Sequence, residues 1–203
     1  MSQIALPLTR RAGVGPAKIV LGEGNAHVAD ALLRPAGWPF GTAVLTGPPR
    51  SGKSLFAKWF ESSGKGDALD NAHQLDEDAV FHRWNRAQEK GRALLIVGGE
   101  PPWNIALPDL QSRLGAALQL EIFQPGDALA TEMLLSLAAE RGLPLAPEAA
   151  AYLVPRASRS YLTIEKLVEA IDRLSLERKA PPTLAVWRAA LEAVEGPDEP
   201  RLL

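Results

Sequence analysis

Apolar residues follow two different rhythms along this chain. Up to about residue 124, short continuous apolar runs alternate with segments of helical spacing; beyond that point only helical spacing remains. The runs at 18–21, 43–46 and 92–97 are short, rich in Val, Leu and Ile, and stopped by Gly or Pro, as strands buried on both faces are. Residues 117–123 alternate apolar and polar, the pattern of a half-buried strand. The run 67–70 is weaker and poorly strand-like. Together these runs predict a parallel, five-stranded sheet. Between them, helices are predicted after Asn25, which is well placed as a cap, and over 55–61 and 76–90. The helix at 76–90 carries acids at its positive end and Ala79, Val80, Trp84 and Ala87 on one face. A further helix with Leu107, Leu110 and Leu114 carries Arg113.

The second rhythm predicts helices at 128–141, 147–157, 160–179 and 183–194, with Ile164, Leu167, Ile171 and Leu174 on one face of the third. The expected organisation is therefore a flexible arm at 1–13, an α/β domain at 14–124, a small all-α domain at 125–195, and a disordered tail at 196–203.

One stretch changes the picture from architecture to chemistry. The run Ala43-Val44-Leu45-Thr46 leads into Gly47-Pro48-Pro49-Arg50-Ser51-Gly52-Lys53-Ser54 and then a helix that begins near Leu55. This is G-x-x-x-x-G-K-S between a strand and a helix, the setting in which backbone N–H groups cradle phosphates. Lys53 can then reach the outer phosphates and Ser54 can ligate Mg²⁺, beside the positive end of the helix. Asp70 ends the weak run and is the candidate second Mg²⁺ ligand; a turn or capping role is the competing reading.

Composition adds mainly exclusions. The chain has 203 residues, a net charge of −2 and a pI near 6.0, so no global basic field recruits nucleic acid. It has no Cys, which removes thiolate chemistry and disulfides, and its three His are too scattered for a metal cluster. No apolar run has the length of a membrane span and no signal-peptide pattern opens the chain, so the expected location is cytoplasmic. The arm residues Gln3-Ile4-Ala5-Leu6-Pro7-Leu8 alternate apolar positions. They read either as a short strand folded back on the body or as a peptide for a partner's pocket.

Taken together, these stretches resemble the AAA+ proteins of the DnaA/Hda family, through nearly the whole chain. Leu21-Gly22-Glu23-Gly24-Asn25 is similar to the family's opening nucleotide box, 47–54 to its Walker A, and Leu69-Asp70-Asn71-Ala72 to its Walker B. Phe81-His82-Arg83-Trp84-Asn85 resembles the following helix, and 94–102 the sensor 1 strand with its double proline. Residues 107–114 resemble the segment that bears the arginine finger. The resemblance implies an AAA+ α/β domain with a helical lid. It implies ADP or ATP with Mg²⁺, held by Asn25, Val28, Gly47, Pro48, Pro49, Arg50, Ser51, Gly52, Lys53, Ser54, Leu55, Asp70 and Glu165. It assigns Mg²⁺ to Ser54 and Asp70 and the finger to Arg113, whose competing role is a surface ion pair. Because the chain stops after the lid, the DNA-reading domain of the initiator is expected to be absent, with little or no direct DNA binding. Gln3, Ile4, Leu6, Pro7 and Leu8 resemble the peptide by which the Hda branch binds the DNA polymerase sliding clamp, the beta subunit.

The implied partners are thus the clamp and DnaA, with association to the replisome through the clamp; assembly as a homodimer or higher oligomer is left open. Three departures weaken intrinsic hydrolysis in this picture. Asn71 stands where a catalytic carboxylate is usual, Gly98 and Gly99 occupy the sensor 1 corner, and Glu165 aligns with the sensor 2 arginine. The expected function is stimulation of DnaA's ATP hydrolysis in trans, which prevents re-initiation of replication. A non-catalytic adaptor to the clamp and a self-contained phosphate-loop NTPase are the alternatives.

Overall fold

The computed structural model describes residues 19–196. The expectations for the arm, with Gln3, Ile4, Leu6, Pro7 and Leu8, and for the tail beyond Gly196 lie outside the described residues. The chain divides between Phe123 and Gln124 into two compact units.

The first unit runs α1 (Ala26–Leu33), β1 (Thr42–Thr46), α2 (Lys53–Ser62), β2 (Asp67–Leu69), α3 (Glu77–Glu89), β3 (Leu94–Val97), α4 (Pro108–Gly115) and β4 (Leu118–Glu121). Its strands form one parallel sheet in the order β2-β3-β1-β4. The two central strands are the continuous Val/Leu/Ile runs and are buried at nearly every position. The edge strands are the weak run and the alternating run, as their mixed polarity requires.

Among the described residues the sheet has four strands, which corrects the expected five. The run at 19–21 forms no strand because its backbone is spent on a turn. The Asn25 side chain donates through Nδ2 to the Val20 carbonyl at 2.9 Å and accepts from the Gly22 N–H at 2.9 Å. Asn25 does sit at the N-cap of α1, but its side chain makes no capping bond; it faces back into this turn. The expected cap is corrected as well.

Alternation along β1 and β3 splits the core between two faces. Val44, Leu94 and Ile96 pack with Val80 and Ala87 of α3 and Leu110 and Leu114 of α4. Ala43, Leu45, Leu95 and Val97 point the other way and are equally buried. Helix α2 lies against β2 and β3, and its Phe56 and Phe60 are fully buried, worth about 1.5–3 kcal/mol each. Trp38 stacks on Phe60 with ring centroids 5.2 Å apart and donates through Nε1 to the Ala31 carbonyl. Helix α3 starts at Asp76, whose side chain accepts from the N–H groups of Asp78 and Ala79. Glu77 then reaches across to accept from Ala106 and Leu107, fixing the entry to α4.

The second unit holds α5 (Asp127–Glu140), α6 (Pro147–Leu153), α7 (Tyr161–Arg178) and α8 (Leu184–Glu195). Leu134, Leu153, Val168, Ile171 and Ala190 are fully buried, and the alanines at 130, 138, 149, 150 and 170 let the helices approach closely. Ser160 caps α7 by accepting from the Thr163 N–H at 3.0 Å.

Candidate functional site

The carboxyl ends of β1, β2 and β3 carry the phosphate-loop motif and its neighbours. Gly47 leaves β1 at φ 146°, a conformation that favours glycine. A Cβ there would stand 2.8 Å from the Ile122 carbonyl oxygen, so the loop also needs glycine for room. The Gly47 N–H donates to the Gly99 carbonyl at 3.1 Å, and the Ile122 N–H to the Thr46 carbonyl at 2.9 Å. The start of the loop is thereby tied to both neighbouring strand ends.

Arg50 at φ 63° and Gly52 at φ 87° curl the loop onto the start of α2. Gly52 is the N-cap of that helix and offers no side chain to its first amides, of which the Leu55 N–H donates to the Gly52 carbonyl at 2.9 Å. The Ser51 hydroxyl is buried there with no hydrogen-bond partner. Lys53 curls back, its Nζ donating to the carbonyls of Gly47 and Pro48 at 2.7 Å each. Burial pushes the Lys53 ammonium below the usual lysine range, while the carboxylates of Glu100 and Asp70 pull it part of the way back. An orphaned hydroxyl, uncapped amides and a partly dehydrated ammonium around one hollow fit a polyphosphate. The Ser54 hydroxyl donates to Asp70 Oδ1 at 3.1 Å, and Asp70 also accepts from the Asn71 N–H. A hydroxyl and a carboxylate side by side next to a phosphate cradle are the oxygen donors that suit Mg²⁺.

Other candidate residues are distributed as follows. Pro48 is buried, Pro49 and Arg50 are exposed, and Leu55 is half-buried on α2. Val28 is fully buried in the apolar face of α1, and the Asn25 side chain is occupied by its turn. Glu165 is half-buried on α7 and belongs to the helical unit. Glu100 was not singled out from sequence. Its effect on Lys53 comes from the fold of the segment after β3, and no local motif marks it.

The sensor 1 corner has a steric reason for its glycines. A Cβ at Gly98 would stand 2.7 Å from the Trp103 ring, and one at Gly99 3.1 Å from the His73 ring. Trp103 itself packs with the α3–α4 core.

Arg113 sits in the last turn of α4, held by three residues of α3. Its guanidinium lies 4.4 Å from the Phe81 ring centroid and 4.5 Å from that of Trp84, and its Nη1 donates to Asn85 Oδ1. Positions 81, 84 and 85 share one helix face, so the three residues make a single seat. The surface ion pair is not what forms: among the described residues no carboxylate pairs with Arg113. Helix α4 ends just before Leu118, which pairs with Ala43 at the start of β1, whereas Gly47 follows the end of that strand. The start of β4, five residues after Arg113, thus lies about 13 Å along the strands from Gly47, and among the described residues no hydrogen bond joins Arg113 to the loop.

No family model matches the chain. Among solved structures, domain III of the Thermotoga maritima replication initiation protein DnaA superimposes with a TM-score of 0.72 at 11% identity, over 87% of this chain and 95% of that one. The replication initiator DnaA bound to AMPPCP and single-stranded DNA gives 0.61 at 16%, over 78% of this chain and 65% of that one. The fold is DnaA-like AAA+. The FIGL-1 AAA domain in complex with ADP gives 0.60 at 14%, over 88% and 84%. This chain thus spans a little under two thirds of the nucleotide- and DNA-bound initiator chain. Among the described residues, no helix is long and apolar enough to cross a membrane.

Proposed function

We propose that this chain is a DnaA-related regulator of the Hda type. It holds ADP or ATP in its own Walker A loop, with Mg²⁺ at Ser54 and Asp70, and uses Arg113 to promote hydrolysis of the ATP bound to DnaA. The observation that carries this reading is the seat of Arg113: half-exposed, held on Phe81, Trp84 and Asn85, and with no carboxylate paired to it among the described residues. A guanidinium in that position is suited to a neighbour's phosphates, where it stabilises transition-state charge. In the chain's own cradle, Lys53 and the loop amides bind the phosphates and Ser54 and Asp70 orient the metal. Asn71 supplies no carboxylate to take a proton from water. Gly99 supplies no side chain; intrinsic turnover is accordingly weak. Residues 3–8 dock on the sliding clamp and make the reaction depend on clamp already loaded on DNA.

The test measures loss of DnaA-bound ATP in the presence of DNA-loaded clamp, with the wild-type chain and with Arg113→Ala. The expected outcome is a fall in the stimulated rate of about 10³-fold or more. An unchanged rate would overturn the finger role and favour a clamp adaptor. Rapid turnover by the chain alone would favour a self-contained NTPase.

A further inference from the structure

The corner between the Walker A loop and the end of β3 lacks a side chain at Gly99, but the space is filled. A Cβ on Gly99 would meet the imidazole of His73 at 3.1 Å (Cδ2), 3.3 Å (Cγ) and 3.4 Å (Nε2). The ring therefore occupies the volume that a side chain at position 99 would otherwise take. Gly99 is itself bound to the loop, its carbonyl accepting from the Gly47 N–H. His73 reaches this place from the other side of the site. It lies in the short 3₁₀ turn Ala72–Gln74, which begins directly after Asp70 and Asn71. Ala72 is buried and anchors the turn, and the Gln74 N–H donates to the Asn71 carbonyl at 2.9 Å. The imidazole thus packs against Gly99, which is bonded to Gly47, from a turn that follows Asp70, which is bonded to Ser54. It is exposed, and its Nε2 lies 3.3 Å from the side-chain amide of Gln74.

The charge balance gives that imidazole a task. Lys53 at the cradle faces two carboxylates, Glu100 and Asp70. A third phosphate placed at this end adds negative charge that Lys53 and Mg²⁺ at Ser54 and Asp70 would share, and a further donor beside them would favour it more. The sensor 1 strand offers none, because Gly98 and Gly99 have no side chains. An imidazole N–H can supply the hydrogen bond, and it does so from the Walker B side of the site.

We propose that His73 is the residue by which this cradle distinguishes a nucleoside triphosphate from a diphosphate, standing in from the Walker B turn for the side chain missing at Gly99. The proposal rests on the nucleotide-binding reading above. Its test is equilibrium binding of ATP and of ADP, each with Mg²⁺, to the full chain and to His73→Ala, His73→Gln and Gly99→Ala.

Loss of one hydrogen bond to a charged group predicts that His73→Ala weakens ATP about tenfold while ADP stays within about twofold. His73→Gln, which keeps an N–H donor, recovers part of the loss. Gly99→Ala pushes the ring from the corner and reproduces the selective loss. Melting of the nucleotide-free protein is unchanged by the His73 substitutions, since the side chain is exposed. Equal weakening of both nucleotides, or of neither, would overturn the role of His73 while leaving the cradle intact. A wild-type chain that binds neither nucleotide would overturn the nucleotide reading itself.

Discussion

At the carboxyl end of the sheet the chain presents backbone: a glycine loop, uncapped amides, and one lysine folded onto its own carbonyls. On the face covered by α3 and α4 it presents a side chain, Arg113, stacked on Phe81 and Trp84. The first end suits a ligand that comes to the chain, because its donors converge on a hollow and one buried hydroxyl there has no partner. The second suits delivery of a charge to something outside, because the guanidinium is oriented by its neighbours without being neutralised by a carboxylate. One domain thus separates holding, at the strand ends, from delivering, on its helical face. Each should fail independently of the other.

The largest contrast should come from Lys53→Ala. Removing the ammonium is expected to weaken ATP and ADP about 10- to 100-fold in a binding titration. Arg113→Ala, by contrast, should leave this chain's own nucleotide affinity within about twofold. Comparable weakening by both substitutions would contradict the separation of the two regions.

Smaller effects should come from glycines in the two regions. Gly47→Ala introduces a Cβ 2.8 Å from the Ile122 carbonyl oxygen at a positive φ, and should cost about 2–3 kcal/mol. In a thermal melt that is a drop of about 4–12 °C. Gly115, at the end of α4, has nothing within 4 Å of an added Cβ. Gly115→Ala should stabilise the fold by about 0.4–1 kcal/mol. A neutral Gly47→Ala would show that the loop is not held by Ile122 as described.

The smallest effect concerns pH. The folded-state pKa of Lys53 lies below its ordinary value of 10.5, so folding of the nucleotide-free chain releases a proton in the window beneath 10.5. The unfolded chain binds more protons there, and this contribution to stability rises with pH up to that value. Lys53→Met removes the titrating group and should flatten that part of the stability–pH curve in denaturant titrations. Tyr161, in the helical unit, acts in the opposite sense. Burial raises its phenol to about 12, so its contribution is fully present below pH 10 and is lost as pH rises from 10 towards 12. Tyr161→Phe should abolish that loss. Stability curves of the two variants that overlay the wild type throughout would refute both assignments.

Much of this was legible in the linear pattern. The two central strands are continuous apolar runs and the four helices of the second unit show regular spacing; both signals are local, and the structure places elements there. The phosphate loop was legible because its chemistry is backbone chemistry and needs glycine at set intervals. The strand count was misread because an apolar run at 19–21 looks the same whether it pairs in a sheet or closes a turn. The choice was made by Asn25, through bonds of its side chain to Val20 and Gly22. The seat of Arg113 was equally hidden, since Phe81, Trp84 and Asn85 are some thirty residues away in sequence.

By itself, then, the sequence determined that a glycine loop of phosphate-binding pattern follows a buried strand and that a helical unit comes after, because each of these rests on neighbours a few residues apart. Only the tertiary structure decided what surrounds them. It set His73 against Gly99, brought Glu100 towards Lys53, and seated Arg113 on Phe81, Trp84 and Asn85. These relations depend on the order in which strands pair, β2-β3-β1-β4. That order follows from how the helices cross and bury both faces of the sheet, which no local spacing along the chain encodes.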